Sequence, residues 1–292
     1  MATTVLGIIG GSGVYDIGLE DARWEEVTSP FGKPSDALLF GRLKGVDLVF
    51  LPRHGRGHVQ TPTSINYRAN IDVLKRAGCT DVISVSACGS FRQDLPPVHF
   101  VLVDQFIDRT HSRDKSFFGP GFVAHVSMAH PVCPGLSAKL MDAAREEDIA
   151  CTMGGTYLAM EGPQFSTRAE SLLYKSWGCD VIGMTGMPEA KLAREAELPY
   201  ALVAMVTDFD CWHPDHDHVT VDQVVKVLFQ NADRARALIR RVVPKLGPER
   251  TPSPIGIEHT LDTALITAPE KRDPGLFKKL DAVAGRVLKL HG

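Results

Sequence analysis

The chain has 292 residues, 44% hydrophobic and 23% charged, with a formal net charge of −3 and no block of like charges. Such a composition describes a globular protein with ample core. The near-neutral charge argues against a general nucleic-acid binder or a polybasic membrane binder. No apolar stretch approaches the roughly 18 residues of a membrane helix, and the N-terminus lacks the basic segment of a signal peptide. The six cysteines (Cys79, Cys88, Cys133, Cys151, Cys179 and Cys211) are dispersed without a C-x-x-C pair. That usage suits reduced thiols in a cytoplasmic protein better than disulfides or zinc.

Val5 to Ile9 reads as a short buried strand running into Gly10-Gly11-Ser12-Gly13. Glycines behind a strand let backbone N–H groups converge on an anion, and Ser12 adds a hydroxyl donor. The loop fits neither nucleotide fingerprint: Asp16 stands where G-x-G-x-x-G needs its third glycine, and no lysine follows to make a P-loop. Ala37–Leu43 and Val46–Leu51 read as a hairpin around Lys44-Gly45. Pro62 to Ala77 has helical spacing, with Gly78 placed to cap it. Val82–Val85 is a strand ending in Ser86-Ala87-Cys88-Gly89-Ser90, and Phe100–Val103 is another. Asp108 to Gly121 is polar and Gly/Pro-punctuated, the composition of a mobile loop or lid.

Further along, Leu136–Glu146, Arg168–Trp177 and Pro188–Ala196 read as helices, and Val221–Val243 as a long one. Tyr157–Met160, Val181–Met184 and Ala201–Val206 read as strands. Alternating strands and helices imply an α/β fold, a single domain of three layers with a central mixed, largely parallel sheet flanked by helices. Gly247 to Pro254 has linker character. The tail beyond it carries Leu276, Phe277, Leu280, Val283 and Val287 on one side of an amphipathic segment, which must pack on its own domain or on a neighbouring subunit.

The chemistry-bearing residues fall at strand ends, where open α/β sheets form their ligand crevice. Arg53 and His54 offer donors to an oxyanion. Ser86 and Thr185 are small hydroxyl residues in similar positions, although each also suits a simple helix cap. Asp208 and Asp210, at i and i+2 behind an apolar strand, point the same way and can serve as metal ligands, as acid and base, or as solvated carboxylates. The loop His213–His218 is rich in His and Asp but lacks a recognised ligand spacing, so no metal is expected there.

In order along the chain, GIIGGSG, PFGKPSDA, RHGRGH, NYRANI, SACGS, DQFIDRT, EGPQFSTRAE, GMTGMPEAKLAREA and TDFDCW resemble the trimeric purine nucleoside phosphorylase family, in its S-methyl-5′-thioadenosine phosphorylase branch. The likeness runs from about Gly7 to Gly247. It implies a catalytic domain over 1–250, with 251–292 a C-terminal linker and helix that contacts a subunit. It also implies phosphorolysis, in which phosphate attacks the ribose C1′ as adenine leaves, a step of purine and methionine salvage. Phosphate is then a co-substrate and no cofactor is needed.

By the same resemblance, Ser12, Arg53, His54, Ser86, the Ala87 backbone and Thr185 hold phosphate. Asp208 protonates purine N7 with Asp210 beside it, Phe165 stacks on base or sugar, and Met184 packs under the ribose. Val221 and Val224 line an apolar 5′ pocket where the ordinary-nucleoside branch has a histidine. The 6-oxopurine branch has Asn at the position of Asp208, so Asp here favours adenine. His125 resembles the residue a neighbouring subunit lends to the 5′ pocket, which implies a homotrimer. Gly183 departs from the asparagine of the relatives. The alternatives are a 6-oxopurine or methylthioinosine phosphorylase, a phosphate-independent nucleosidase, and a non-catalytic nucleotide-binding module.

Overall fold

The computed structural model of the chain describes residues 3–11, 14, 16–213 and 221–288, the side chains of 221–224 excepted. Its centre is an eleven-stranded mixed sheet. The strands are β1 (Val5–Gly10), β2 (Glu20–Glu25), β3 (Leu38–Leu43), β4 (Val46–Pro52), β5 (Asp81–Ser90) and β6 (Phe100–Leu102), followed by β7 (Gln105–Asp108), β8 (Cys151–Met153), β9 (Thr156–Ala159), β10 (Val181–Gly183) and β11 (Tyr200–Asp208). The main path runs β2-β3-β4-β1-β5-β10-β9-β7, with β11, β6 and β8 branching from β5. Most pairings are parallel; β2–β3, β3–β4, β5–β10 and β6–β11 are antiparallel. The expected α/β class and early hairpin are both present.

The continuous apolar runs of β1 and β11 suit strands covered on both faces. Against one face lie helices α1 (Tyr67–Arg76) and α4 (Glu189–Glu195) with the C-terminal tail; against the other lie α2 (Pro134–Glu146) and α5 (Val221–Leu246). A third helix, α3 (Arg168–Ser176), covers a small cluster of Phe91, Leu158, Tyr174 and Ile182. Local chemistry sets these ends. The Asn66 side chain caps α1 at Ala69 N–H, Gly78 follows it at φ +83°, and Thr167 and Glu170 form a reciprocal capping box on α3.

Four expectations change. The first helix starts at Tyr67 and not Pro62, because Asn66 caps it there. Ser86–Ser90 do not leave the sheet; they extend β5 to ten residues. The segment Asp108–Gly121 is no free lid. Phe117 and Phe118 are buried, the Arg113 guanidinium bonds the carbonyls of Met187 and Glu161, and the Glu195 carboxylate accepts from Ser116 Oγ and Phe117 N–H. The tail is not one amphipathic helix but two short ones, α6 (Pro274–Lys279) and α7 (Gly285–Leu288). Leu280, Val283 and Val287 nevertheless join the same core as α1 and α4.

The feature that positions the site is a gap in pairing along one edge of β5. There β1 pairs with Asp81–Ser84, and β10 takes over only at Gly89–Ser90. Between them, Val85 to Cys88 have β11 on one edge and, among the described residues, no strand on the other. Backbone polar groups left unladdered at such a point must find other partners.

Candidate active site

A cavity of about 260 Å³ opens over this gap. Its walls bring together Gly11, Arg53, His54, Ser86, Ala87 and Thr185 at one end, and Phe165, Met184, Asp208 and Asp210 at the other, with Met160, Ile182, Met205 and Leu228 among the apolar residues between. Nine of the thirteen residues singled out from the sequence therefore meet at one cavity. Ser12 lies outside the described residues, as do the side chains of Val221 and Val224. The one-chain cavity does not include His125, whose backbone N–H is held by the Ala264 carbonyl.

At the first end, Arg53 is 1% exposed. Its Nε donates to Glu189 Oε1 at 2.5 Å and its Nη1 to the Val85 carbonyl at 3.0 Å; Nη2 bonds Ser84 Oγ and Glu189 Oε2. Four of the five guanidinium N–H groups are thus directed at protein acceptors. Glu189 also accepts from Ser84 Oγ and Tyr200 OH. Burial opposes its charge, but Arg53 beside it holds the carboxyl below its usual range. Glu189 is the residue that sequence reading missed. The available signal was a buried strand-end arginine, which must carry a partner.

His54 gives its Nδ1–H to the Gln60 carbonyl at 2.9 Å, the only role open to that nitrogen opposite a carbonyl. Burial first, and the neighbouring Arg53 second, pull its pKa down to about 4. The ring is neutral at pH 7, and Nε2 presents a lone pair. Ser86 Oγ and Thr185 Oγ1 sit 2.5 Å apart, both side chains nearly buried. This end is therefore rich in neutral hydroxyl groups and has no net charge.

The second end is different. Asp208 Oδ1 accepts from Asp210 N–H at 2.8 Å and Oδ2 from Thr207 Oγ1 at 2.7 Å. Burial still outweighs these bonds and raises its pKa. Asp210 stands at φ +52°, a left-handed conformation rare outside Gly, Asn and Asp. Its Oδ2 is buried with no hydrogen-bond partner, and burial, with Asp208 adding to it, lifts its pKa to about 6. Gly89 makes room for this pair, since a Cβ there would stand 2.8 Å from Asp208 Oδ1. Phe165 is 44% exposed at the rim, the state of an aromatic face open to a planar ligand. Among the described residues no group of three His, Cys, Asp or Glu side chains forms a metal site.

The arrangement sets neutral hydroxyl donors and a basic imidazole nitrogen across an apolar span from two carboxyls pushed toward their protonated forms. That is the layout for a small oxyanion at one end and a protonatable heterocycle at the other.

Known proteins similar to this chain identify its family. The model of the phosphorylase superfamily matches residues 5–244. The S-methyl-5′-thioadenosine phosphorylase of Bradyrhizobium diazoefficiens is 65% identical over 99% of this chain and 100% of its own. A methylthioadenosine phosphorylase crystal structure from an Antarctic soil metagenomic library superposes with a TM-score of 0.90 at 45% identity, covering 97% of this chain and 99% of that one. The methylthioadenosine phosphorylase of Schistosoma mansoni in complex with adenine gives 0.80 at 40% identity over 84% and 93%. The chain belongs to the phosphorylase superfamily, in the S-methyl-5′-thioadenosine phosphorylase family.

Proposed function

We propose that this chain catalyses phosphorolysis of S-methyl-5′-thioadenosine, releasing adenine and 5-methylthioribose 1-phosphate. The observation that carries it is the single cavity with a hydroxyl-lined anion end facing two protonatable carboxyls. Phosphate rests on the Ser86 and Thr185 hydroxyls, the Ala87 backbone, the remaining Arg53 donor and Ser12, while His54 Nε2 accepts from a phosphate or ribose hydroxyl. A phosphate oxygen forms the bond to ribose C1′ as the bond from C1′ to purine N9 breaks. The electron pair leaves with the base, and Asp208 delivers the proton that N7 takes up. The phosphate dianion also stabilises the cationic ribose electrostatically as the transition state develops.

Asp210 accepts from the exocyclic amine of adenine, Phe165 stacks on the base or sugar, and Met184 packs beneath the ribose. Val221 and Val224 face the methylthio group. His125, absent from the cavity of its own chain, belongs to the 5′ pocket of a neighbour in a homotrimer; the tail beyond residue 250 adds to that contact. The names of the relatives and their near-complete coverage support the substrate.

Adenine release from methylthioadenosine, measured with and without phosphate and against inosine, tests the reading. Phosphate-dependent release with methylthioadenosine preferred is the expected result. Phosphate-independent release makes the protein a nucleosidase, and faster inosine cleavage makes it a 6-oxopurine enzyme; either outcome overturns the assignment.

A further inference from the structure

Tyr157 lies on β9, fully buried, with its ring tilted against Phe106. It lines no part of the cavity. Its hydroxyl oxygen nevertheless has no hydrogen-bond partner among the described residues. The side chains of Ser86 and Thr185 and the Thr185 N–H stand close enough to that hydroxyl to pull against the effect of burial on its pKa. Buried hydroxyls without partners are rare, and one aimed at the back of a ligand site calls for an explanation.

A second, independent feature protects the same position. A Cβ on Gly183 would stand 1.9 Å from the Tyr157 oxygen and 2.7 Å from its Cζ. Any side chain at 183 would expel the phenol. Gly183 is therefore glycine for a close approach and not for a turn, since it lies within strand β10.

The chemistry follows from counting protons. Ser86 and Thr185 stand 2.5 Å apart, and Ser86 Oγ lies 3.2 Å from the Ala87 carbonyl, so without a ligand one hydroxyl donates to the other and at most one proton of the pair is left for an anion. A phosphate oxygen at this end is best served by both. If both protons turn to the anion, two hydroxyl oxygens face each other with no hydrogen between them. A third donor behind the pair removes that conflict.

We propose that Tyr157 is this donor, a positioning residue whose phenolic proton goes to the Ser86–Thr185 oxygens when both of their hydroxyls turn onto bound phosphate. The inference rests on the phosphorolysis reading of the site. Burial raises the phenol's pKa to about 12, so it stays protonated across the working range and never competes as an anion.

The test is Tyr157→Phe in the full-length protein, with phosphate and methylthioadenosine titrated separately beside the wild type. Loss of one neutral hydrogen bond made only with phosphate present raises the phosphate KM about three- to tenfold. The nucleoside KM should stay within about twofold, and the melting temperature without phosphate should hold or rise, because a buried unpartnered hydroxyl has been removed. An unchanged phosphate KM with a lower melting temperature reduces Tyr157 to packing and overturns the proposal. Gly183→Ala supplies a second arm. It should weaken phosphate by itself and leave Tyr157→Phe with less than about a twofold further effect, because the phenol is already displaced. Multiplying penalties in the double variant overturn the proposal as well. Failure of the parent reading is separately visible, as wild-type release that ignores phosphate.

Discussion

The two ends of the cavity solve opposite electrostatic problems. At the anion end, charge is balanced before any ligand arrives: Arg53 is locked to Glu189, and His54 is neutral. At the base end, two carboxyls stand close together with no cation among their hydrogen-bond partners in the described residues, and burial drives them toward protonation. An anion held by hydroxyls and amides keeps its own charge unneutralised and remains a nucleophile, at the cost of only modest affinity. A carboxyl kept protonated is a proton source where the leaving base needs one. Phosphate is to be held without being quenched, and the purine is to be relieved of its negative charge.

The strongest way to break the first half of that contrast is Glu189→Ala. It leaves a buried guanidinium without its counter-charge, which costs about 3–5 kcal/mol of stability. Denaturant unfolding measures it. Glu189→Gln sharpens the point: the side-chain volume is kept, but the charge balance is lost and one accepting oxygen becomes an NH2 donor, so stability should fall and the phosphate KM should fall with it. A stable Glu189→Ala protein with normal phosphate binding removes the ion pair from the account of the site.

How much of this could be read beforehand differs between the same two ends. The base end was legible because Asp208 and Asp210 lie two residues apart at the end of an apolar strand, a local pattern. The anion end was legible only in its donors. Glu189 sits 136 residues from Arg53 in sequence, and an acidic residue just behind Pro188 reads as an ordinary first-turn helix charge. Tyr157 reads as core in an apolar strand, and Gly183 as a departure from relatives; only the 1.9 Å approach joins them. The segment Asp108–Gly121 reads as a loop from its glycines and polar residues. Its anchors, Glu161 and Glu195, lie elsewhere in the chain and leave no trace in local composition. The central α/β order was legible because covered strands are continuous apolar runs, whereas the exposed β2 and the three-residue β8 lack such a pattern.

The second half of the contrast is tested by Asp208→Asn. Losing a positioned proton donor should lower kcat/KM for methylthioadenosine about a hundredfold or more. Because burial raises the Asp208 pKa, the wild-type rate should decline as pH rises and the donor ionises, and the variant should lose that inflection. Adenine release across pH 5 to 9 measures both. A variant that keeps the wild-type inflection assigns the proton to another group.

The smallest expected effect concerns stability and belongs to Asp210. Burial of a carboxyl with one unpartnered oxygen lifts its folded-state pKa to about 6, above the ordinary 3.8 of an aspartate. The folded chain therefore binds this proton more tightly than the unfolded chain does. Stability from this group is fully present below about pH 4, declines as pH rises through about 4 to 6, and stays lost above that window. Asp210→Asn removes the ionisation, and asparagine tolerates the left-handed backbone that φ +52° demands, so the exchange adds no strain. The variant should be about 3 kcal/mol more stable than wild type at pH 8 and close to it near pH 4. Urea unfolding at the two pH values reads the difference directly. An advantage of the same size at both would place the effect in packing, not in charge, and would leave the base end without the electrostatic tension that sets it apart from the balanced anion end.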